Sequence, residues 1–354
     1  MKVFWIAGDP SGDVQAAALI RAFKLRYSDS IHTGWGGDAM KLQGLERLYN
    51  FPANPIMGFV EVLLKAGTIR GQFSLVKKDI QTTNPDLVVF VDFAGFNLRI
   101  AEWAKKQGYK TAYFIPPKVW AWKQSRLPKL VENSDLIMSI LPFEEAWYAE
   151  KGYEVHYVGN PIAEKYEQRA AFDAESNKVL LLPGSRSQEV NRLLPVFYEL
   201  ARLQPDLEFE VIRAPSALSF WPELTSPENV VITDKPLEQA ADKVRFAFTC
   251  SGTASLEIAL LDIPQAVVYR ANPLSLAIAK SLVRVPFFSL PNLILNREIV
   301  PELLQKEVNP VKLAALLEEN HEQQRKDYHD LIAEMGKHRL EQSAVSRMVN
   351  LIES

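Results

Sequence analysis

The residues best suited to chemistry lie in four short segments. Asp92 ends the apolar run Leu87-Val-Val-Phe-Val91. A carboxylate at the end of a dry strand holds its proton to higher pH than usual and can take a proton from an attacking hydroxyl. The competing reading is a turn cap before Gly95. The segment Gly8-Asp9-Pro10-Ser11-Gly12-Asp13 pairs two flexible glycines with two acids. Gly8 and Gly12 allow a tight turn, and Asp13 can cap the helix that follows. Two carboxylates repel a pyrophosphate and suit sugar hydroxyls, so Ser11, Gly12 and Asp13 form a candidate acceptor-side loop. Pro183-Gly184-Ser185-Arg186-Ser187 follows Leu180-Leu-Leu182. Backbone N–H groups at a helix start, a hydroxyl and a guanidinium suit a diphosphate, while Arg186 is alternatively a plain surface charge. Ser251-Gly252-Thr253-Ala254 opens the segment Ser255–Leu260. Its helix start attracts anions, and Glu257, one turn in, can accept both hydroxyls of a ribose or simply favour the helix dipole. The second half therefore reads as nucleotide-binding and the first half as the place for a hydroxylated acceptor.

Other chemistries lack their residues. No Gly-x-Gly-x-x-Gly follows the first strand, and no Gly-x-Ser-x-Gly elbow is present. No Asp-x-Asp pair or histidine cluster offers a metal site. Cys250 is the only cysteine, which leaves neither an intramolecular disulfide nor a cysteine-based metal site.

The elements that must carry these loops alternate. Val3–Gly8, Ile31–Gly36, Asp86–Asp92, Lys110–Ile115 and Leu136–Ile140 read as strands, with helical periodicity over Val14–Leu25, Gly58–Val76 and Leu98–Gln107. The pattern restarts with strands at Val179–Leu182, Leu207–Ile212, Val230–Thr233, Val244–Cys250 and Gln265–Tyr269, and helices at Glu189–Leu203 and Ser255–Leu261. Alternation of this kind implies α/β domains with doubly wound parallel sheets. We expect an N-terminal Rossmann-like domain over 1–161 and a second, nucleotide-binding one over 162–310. A charged helical segment over 311–354 would follow, with a possible return to the first domain.

A chain of 354 residues exceeds the ~250–300 at which a single core stops growing, which also favours two domains. Net charge is −3, which disfavours a nucleic-acid binder. Between Glu61 and Leu130, however, 12 basic residues face 5 acidic ones. That is either a solvated positive face or an attraction to anionic headgroups and phosphates. The N-terminal apolar run is too short for a signal peptide's central region, and the greasy region Leu274–Leu295 is broken by Lys280, Arg284, Pro286 and Pro291. No stretch reaches the ~20 apolar residues of a membrane span, so a cytoplasmic location is expected. Met57, Phe59, Val60, Val62, Leu63 and Leu64 precede Lys65, Arg70, Lys77 and Lys78. An apolar segment with a basic border suits docking on a bilayer surface; ordinary core is the other reading. Trp120 and Trp122 are open in the same way.

Taken in order, these segments resemble one family, the lipid A disaccharide synthases, which are glycosyltransferases of the two-domain GT-B type. The resemblance is carried by Ala7-Gly-Asp-Pro-Ser-Gly-Asp13, Met57-Gly-Phe-Val-Glu-Val62, Pro85-Asp-Leu-Val-Val-Phe-Val-Asp-Phe93 and Pro117-Lys-Val-Trp-Ala-Trp122. It continues through Leu141-Pro-Phe-Glu144, Leu182-Pro-Gly-Ser-Arg186, Ser251-Gly-Thr-Ala-Ser-Leu-Glu257, Tyr269-Arg270 and Ser289-Leu-Pro-Asn292. It implies two Rossmann-like domains facing a cleft and an inverting, metal-independent transfer. UDP-2,3-diacylglucosamine would donate its sugar to the 6-hydroxyl of 2,3-diacylglucosamine 1-phosphate, with UDP as a product and no cofactor. By the same resemblance Asp92 is the general base. Gly184, Ser185, Arg186, Gly252, Thr253, Glu257, Arg270 and Asn292 line the nucleotide side, and Ser11 and Asp13 the acceptor side. Acylated substrates imply a peripheral association with the inner membrane, and family members can form homodimers. The sequence departs at Asp9, where glutamate is common, at Gly36-Gly-Asp-Ala-Met40, at Pro116 and at Gly159-Asn-Pro161. Two further readings share the nucleotide loops. One is another GT-B enzyme, such as a UDP-sugar epimerase or a peptidoglycan-precursor transferase; the other is a non-catalytic UDP-sugar sensor.

Overall fold

Every residue of Leu87–Val91 is buried. A run apolar on both faces is stable only with a helix layer on each side of its sheet, and that requirement organises the first half of the chain. The computed structural model describes residues 1–50, 66–121, 123–167, 171–250, 252–272 and 286–354. These divide into two compact units, Met1–Pro161 with Met335–Ser354, and Ile162–Glu334.

In the first unit the strands are β1 (Lys2–Ala7), β2 (Ile31–Trp35), β3 (Glu46–Tyr49), β4 (Leu87–Val91), β5 (Thr111–Phe114), β6 (Leu136–Ser139) and β7 (His156–Tyr157). All described pairs are parallel, in the order β3-β2-β1-β4-β5-β6-β7. Alternation along each strand splits the core. Val3, Trp5, Ala7, Leu87, Val89 and Val91 pack with the helix Pro10–Arg26. Phe4, Ile6, Val88 and Phe90 pack with the helices Ala66–Thr83 and Ala94–Lys106. In the second unit β8 (Lys178–Leu182), β9 (Glu208–Ile212), β10 (Val230–Thr233), β11 (Phe246–Cys250), β12 (Gln265–Tyr269) and β13 (Glu302–Leu304) lie in the parallel order β10-β9-β8-β11-β12-β13. The amphipathic helix Ser187–Leu203 buries Val190, Leu193, Leu194, Phe197 and Leu200 against this sheet.

Each order reverses direction once, between β1 and β4 and between β8 and β11. Ligands of open parallel sheets bind beyond the strand ends at such a switch point, where the neighbouring crossovers leave to opposite faces. Ala7 is in register with Val91, and Leu182 with Thr249. The switch points therefore bring Gly8 beside Asp92 in one unit, and Pro183 beside Cys250 in the other.

The C-terminal segment corrects the expected boundary at 311. Residues up to Glu334 belong to the second unit. Leu313, Leu316 and Leu317 enter its core, and Gln324 exchanges hydrogen bonds of 2.9 and 2.8 Å with the backbone of Gln265. From Met335 the chain belongs to the first unit. Leu340, Ala344, Val345, Met348 and Val349 fill its core, and Tyr157 donates to the Met335 carbonyl at 2.6 Å. Among the described residues no helix is long and apolar enough to cross a membrane. The proposed docking residues Met57, Phe59, Val60, Val62, Leu63 and Leu64 lie outside the described residues, as does Trp122. Trp120 is a core residue.

Candidate active site

Asp92 stands one residue past β4, and both it and Phe93 have left-handed backbones, with φ of 44° and 46°. Two consecutive non-glycine residues in this region cost on the order of 1–3 kcal/mol each unless the surroundings hold them. Asn97 does so. Its fully buried amide Nδ2 donates to the carbonyls of Ile6 (3.2 Å), Val91 (3.1 Å) and Asp92 (2.9 Å). The Tyr113 hydroxyl donates to the Asp92 carbonyl at 2.7 Å, and the Asp92 N–H donates to Phe114 at 3.1 Å. A Cβ on Gly8 would meet the Phe93 ring at 2.1 Å. Glycine at position 8 is what lets that ring close over the end of β1.

The carboxyl group so placed is perturbed. Burial, and then repulsion from Asp9, raise Asp92 from the ordinary 3.8 to about 6, against the pull of Lys118. Lys118 is the exposed residue of an otherwise buried turn, Pro116–Trp120. Trp120 anchors that turn by donating from Nε1 to Glu144 Oε1 at 2.6 Å. Glu144 is buried, and its other oxygen accepts from the Ser139 hydroxyl. Burial pushes Glu144 up to about 7, with Asp92 adding to the rise and Lys118 opposing it. Two carboxyl groups thus share one cation beside the end of β4.

The acceptor-side loop differs from expectation. Asp9, not Asp13, caps the helix Pro10–Arg26, its Oδ1 accepting from the Gly12 N–H at 2.6 Å. Asp13 lies inside that helix and reaches a different segment. Its carboxylate accepts from the N–H groups of Gly37 (2.8 Å), Ala39 (3.0 Å) and Met40 (3.1 Å). A Cβ on Gly37 would meet Asp13 Oδ2 at 2.4 Å. Asp13 is therefore committed to closing the turn at 36–40, which explains its burial, while Ser11 is exposed.

In the second unit Gly184 adopts φ +105°, and its position leaves room for the Glu189 carboxylate. Glu189 Oε2 accepts from the Ser185 and Arg186 N–H groups at 3.2 and 3.3 Å, and Oε1 pairs with Arg186 Nη1 at 2.9 Å. The Arg186 side chain is 63% exposed, so the guanidinium is accessible although paired. Gly252 has φ 143° with open space where a side chain would stand, and Thr253 is exposed beside it. Glu257 is half-buried, and burial raises its pKa. Two residues expected on the nucleotide side make internal hydrogen bonds. Arg270 spends two donors on the carbonyls of Gln305 and Val308, at 3.3 and 2.5 Å. Asn292 is fully buried with all its capacity used. It donates to the Val300 carbonyl and to Glu302, and it accepts from the Ile299 and Val300 N–H groups. It shapes the approach to β13.

Sequence reasoning missed Asn97, Glu144 and Glu189. Asn97 had a signal, a polar residue between Phe96 and Leu98 within a helix, whereas Glu144 and Glu189 each stand beside another polar residue in a first helical turn, where acids are ordinary. The signal at Asn97 marks burial without saying what the side chain reaches.

Two parallel Rossmann-like sheets with small-residue loops at both switch points define a GT-B protein, a class that handles nucleotide-activated sugars. Among solved structures the fold is shared with a glycotransferase of kitacinnamycin (TM-score 0.70, 14% identity, 99% of both chains). It is shared also with a UDP-GlcNAc 2-epimerase from Neisseria meningitidis (TM-score 0.61, 13% identity, 100% of both chains). The family model described as Lipid-A-disaccharide synthetase matches residues 3–352. A lipid-A-disaccharide synthase of Trichlorobacter lovleyi is 37% identical over 88% of this chain and 86% of its own length. Another, from Neisseria meningitidis serogroup B, is 34% identical over 89% and 87%. The chain belongs to the lipid-A-disaccharide synthase family and is a glycosyltransferase of lipid A biosynthesis.

Proposed function

We propose that this enzyme transfers 2,3-diacylglucosamine from its UDP conjugate to the 6-hydroxyl of 2,3-diacylglucosamine 1-phosphate. The observation that carries the reading is Asp92. It is a carboxyl group held beyond β4 by Asn97 and Tyr113 and poised at about 6. At neutral pH such a group is mostly ionised yet basic enough to accept a proton as the hydroxyl attacks. The 6-oxygen bonds to the anomeric carbon as its proton passes to Asp92. The bond from that carbon to the UDP oxygen breaks, UDP leaves with the electron pair, and the anomeric configuration inverts. Arg186, with the N–H groups of Gly184, Ser185, Gly252 and Thr253, receives the charge that develops on the diphosphate. Glu257 accepts from the ribose hydroxyls. The residues supply this stabilisation without a resident metal or cofactor.

Both substrates are acylated, and each methylene prefers lipid by about 0.8 kcal/mol. On this reading the enzyme works at the cytoplasmic surface of the inner membrane, with the segment 57–64 as its docking element. Purified protein, the two acylated substrates in detergent, and the Asp92→Asn and Arg186→Ala variants test the assignment. Disaccharide 1-phosphate from wild type, lost in both folded variants, supports it. Full turnover by Asp92→Asn removes Asp92 as the base. UDP binding without any product points instead to a sensor or another acceptor.

A further inference from the structure

We propose that Tyr166 is a positioning residue for the nucleotide's ribose, holding the Glu257 carboxylate in the orientation that accepts the sugar hydroxyls. The inference rests on the reading of Glu257 as the ribose carboxylate and adds a residue that no sequence motif marks.

Tyr166 ends the short helix Pro161–Tyr166 and is buried to 2% exposure. Its hydroxyl lies 3.2 Å from Glu257 Oε1 and 3.4 Å from Glu238 Oε2. Glu238 Oε1 is in turn 3.1 Å from Lys165 Nζ, whose ammonium also stands 5.0 Å from the Tyr166 ring centre. The four side chains form one line: Lys165, Glu238, Tyr166, Glu257.

A phenol carries a single proton, and here two carboxylates compete for it. Lys165 neutralises Glu238 and weakens it as an acceptor. Glu257 is the nearer acceptor and, among the described residues, has no cation in salt-bridge contact, Lys165 acting on it only from farther away. The proton therefore goes to Glu257 Oε1. Among the described residues Glu257 Oε2 has no hydrogen-bond partner. A glutamate side chain left to itself samples many rotamers, and fixing one before the ligand arrives improves affinity by removing that ordering cost. Tyr166, itself locked by burial, supplies the fixing contact and leaves Oε2 for the ribose. Burial of Glu257 favours its protonated form; the phenol's donated hydrogen bond helps keep it ionised, as an acceptor of hydroxyls must be.

The test compares UDP with 2′-deoxy-UDP by calorimetry on the full-length protein, for wild type, Tyr166→Phe and Glu257→Gln. Phenylalanine keeps the buried ring, and thermal melting checks that the variant is folded. Wild type should prefer UDP by about tenfold, the worth of one hydrogen bond to a charged group, and Glu257→Gln should erase the preference. Tyr166→Phe should narrow it to about threefold or less, while 2′-deoxy-UDP binds within about twofold of wild type. A Tyr166→Phe variant with the full preference, or one that weakens both nucleotides equally, overturns the proposal and leaves Tyr166 a core residue. Binding of UDP by wild type with no preference overturns the ribose reading of Glu257 and this proposal with it. Glu238→Gln gives an independent check, because it removes the competing charge and keeps the phenol. The preference should hold or grow, and its collapse would also overturn the proposal.

Discussion

Replacing Asp92 by asparagine should make the protein inactive and more stable at once. Asp92 is held near 6 in the folded chain, against 3.8 ordinarily. Each pH unit of such a difference corresponds to about 1.4 kcal/mol, so the ionised form opposes folding by about 3 kcal/mol. The sign follows from linkage. Below about pH 4 the group is protonated in both states and the penalty vanishes. It grows as pH rises from about 4 to 6 and is complete above. Asparagine matches the shape, carries no charge at any pH, and tolerates the left-handed backbone at this position better than most residues. Urea melts at pH 7.5 should show Asp92→Asn more stable by about 1–3 kcal/mol, with the gain shrinking toward zero near pH 3.5. Turnover should fall by about 10²–10⁴, the usual worth of a general base. Equal stability of the two proteins at pH 7.5 would refute the buried-charge reasoning, and retained turnover would refute the base.

Further outcomes follow from the same geometry. The acidic limb of the pH–rate profile should bend near pH 6, with about a tenfold loss between pH 7 and 5. Asp9→Asn, which keeps the helix cap, should move that bend down, and Lys118→Met should move it up; steady-state rates across pH decide both. Arg186→Ala should raise the Kd for UDP by about tenfold or more, with a modest loss of stability, on the order of 1 kcal/mol, because the buried Glu189 carboxylate loses its guanidinium partner. Asn97→Ala removes the amide donor to the Ile6, Val91 and Asp92 carbonyls, of which Asp92 keeps the Tyr113 hydroxyl, and loosens the two left-handed residues. It should lose about 3 kcal/mol or more in chemical denaturation. Glu144→Leu leaves the buried Trp120 indole N–H unpaired, while the Ser139 hydroxyl keeps the backbone of Leu141, and should destabilise by about 1–3 kcal/mol. Glu144→Gln removes a charge whose burial sets its pKa near 7, and at pH 8 should be at least as stable as wild type.

Periodicity and strand-ending loops were legible directly. The continuous apolar run before Asp92 could only be an interior parallel strand, and nearly every expected strand lies within a residue or two of its structural counterpart. The strands missed were Glu46–Tyr49, His156–Tyr157 and Glu302–Leu304, which end or border their sheets. Edge strands are short and half-solvated, so they carry little of the apolar signal that betrays a central one. The candidate loops were legible for a related reason: glycine and small hydroxyls at strand ends leave a local mark.

Local sequence determined the alternating elements, the turn residues and the charges available to the site. Only the tertiary structure decided which charge does what. Asp9 and Asp13 look equivalent in one short loop, but one caps its own helix and the other is spent on three N–H groups of a distant turn. Arg270 and Asn292 look alike as candidate ligand contacts, yet each also holds backbone carbonyls of neighbouring segments. Asn97, Glu144 and Tyr166 look unremarkable and hold the carboxyl groups and turns around which chemistry is built. The physical reason is common to all of them. A polar side chain's role is set by what it reaches and by how little water surrounds it, and both are properties of packing between elements far apart in the chain.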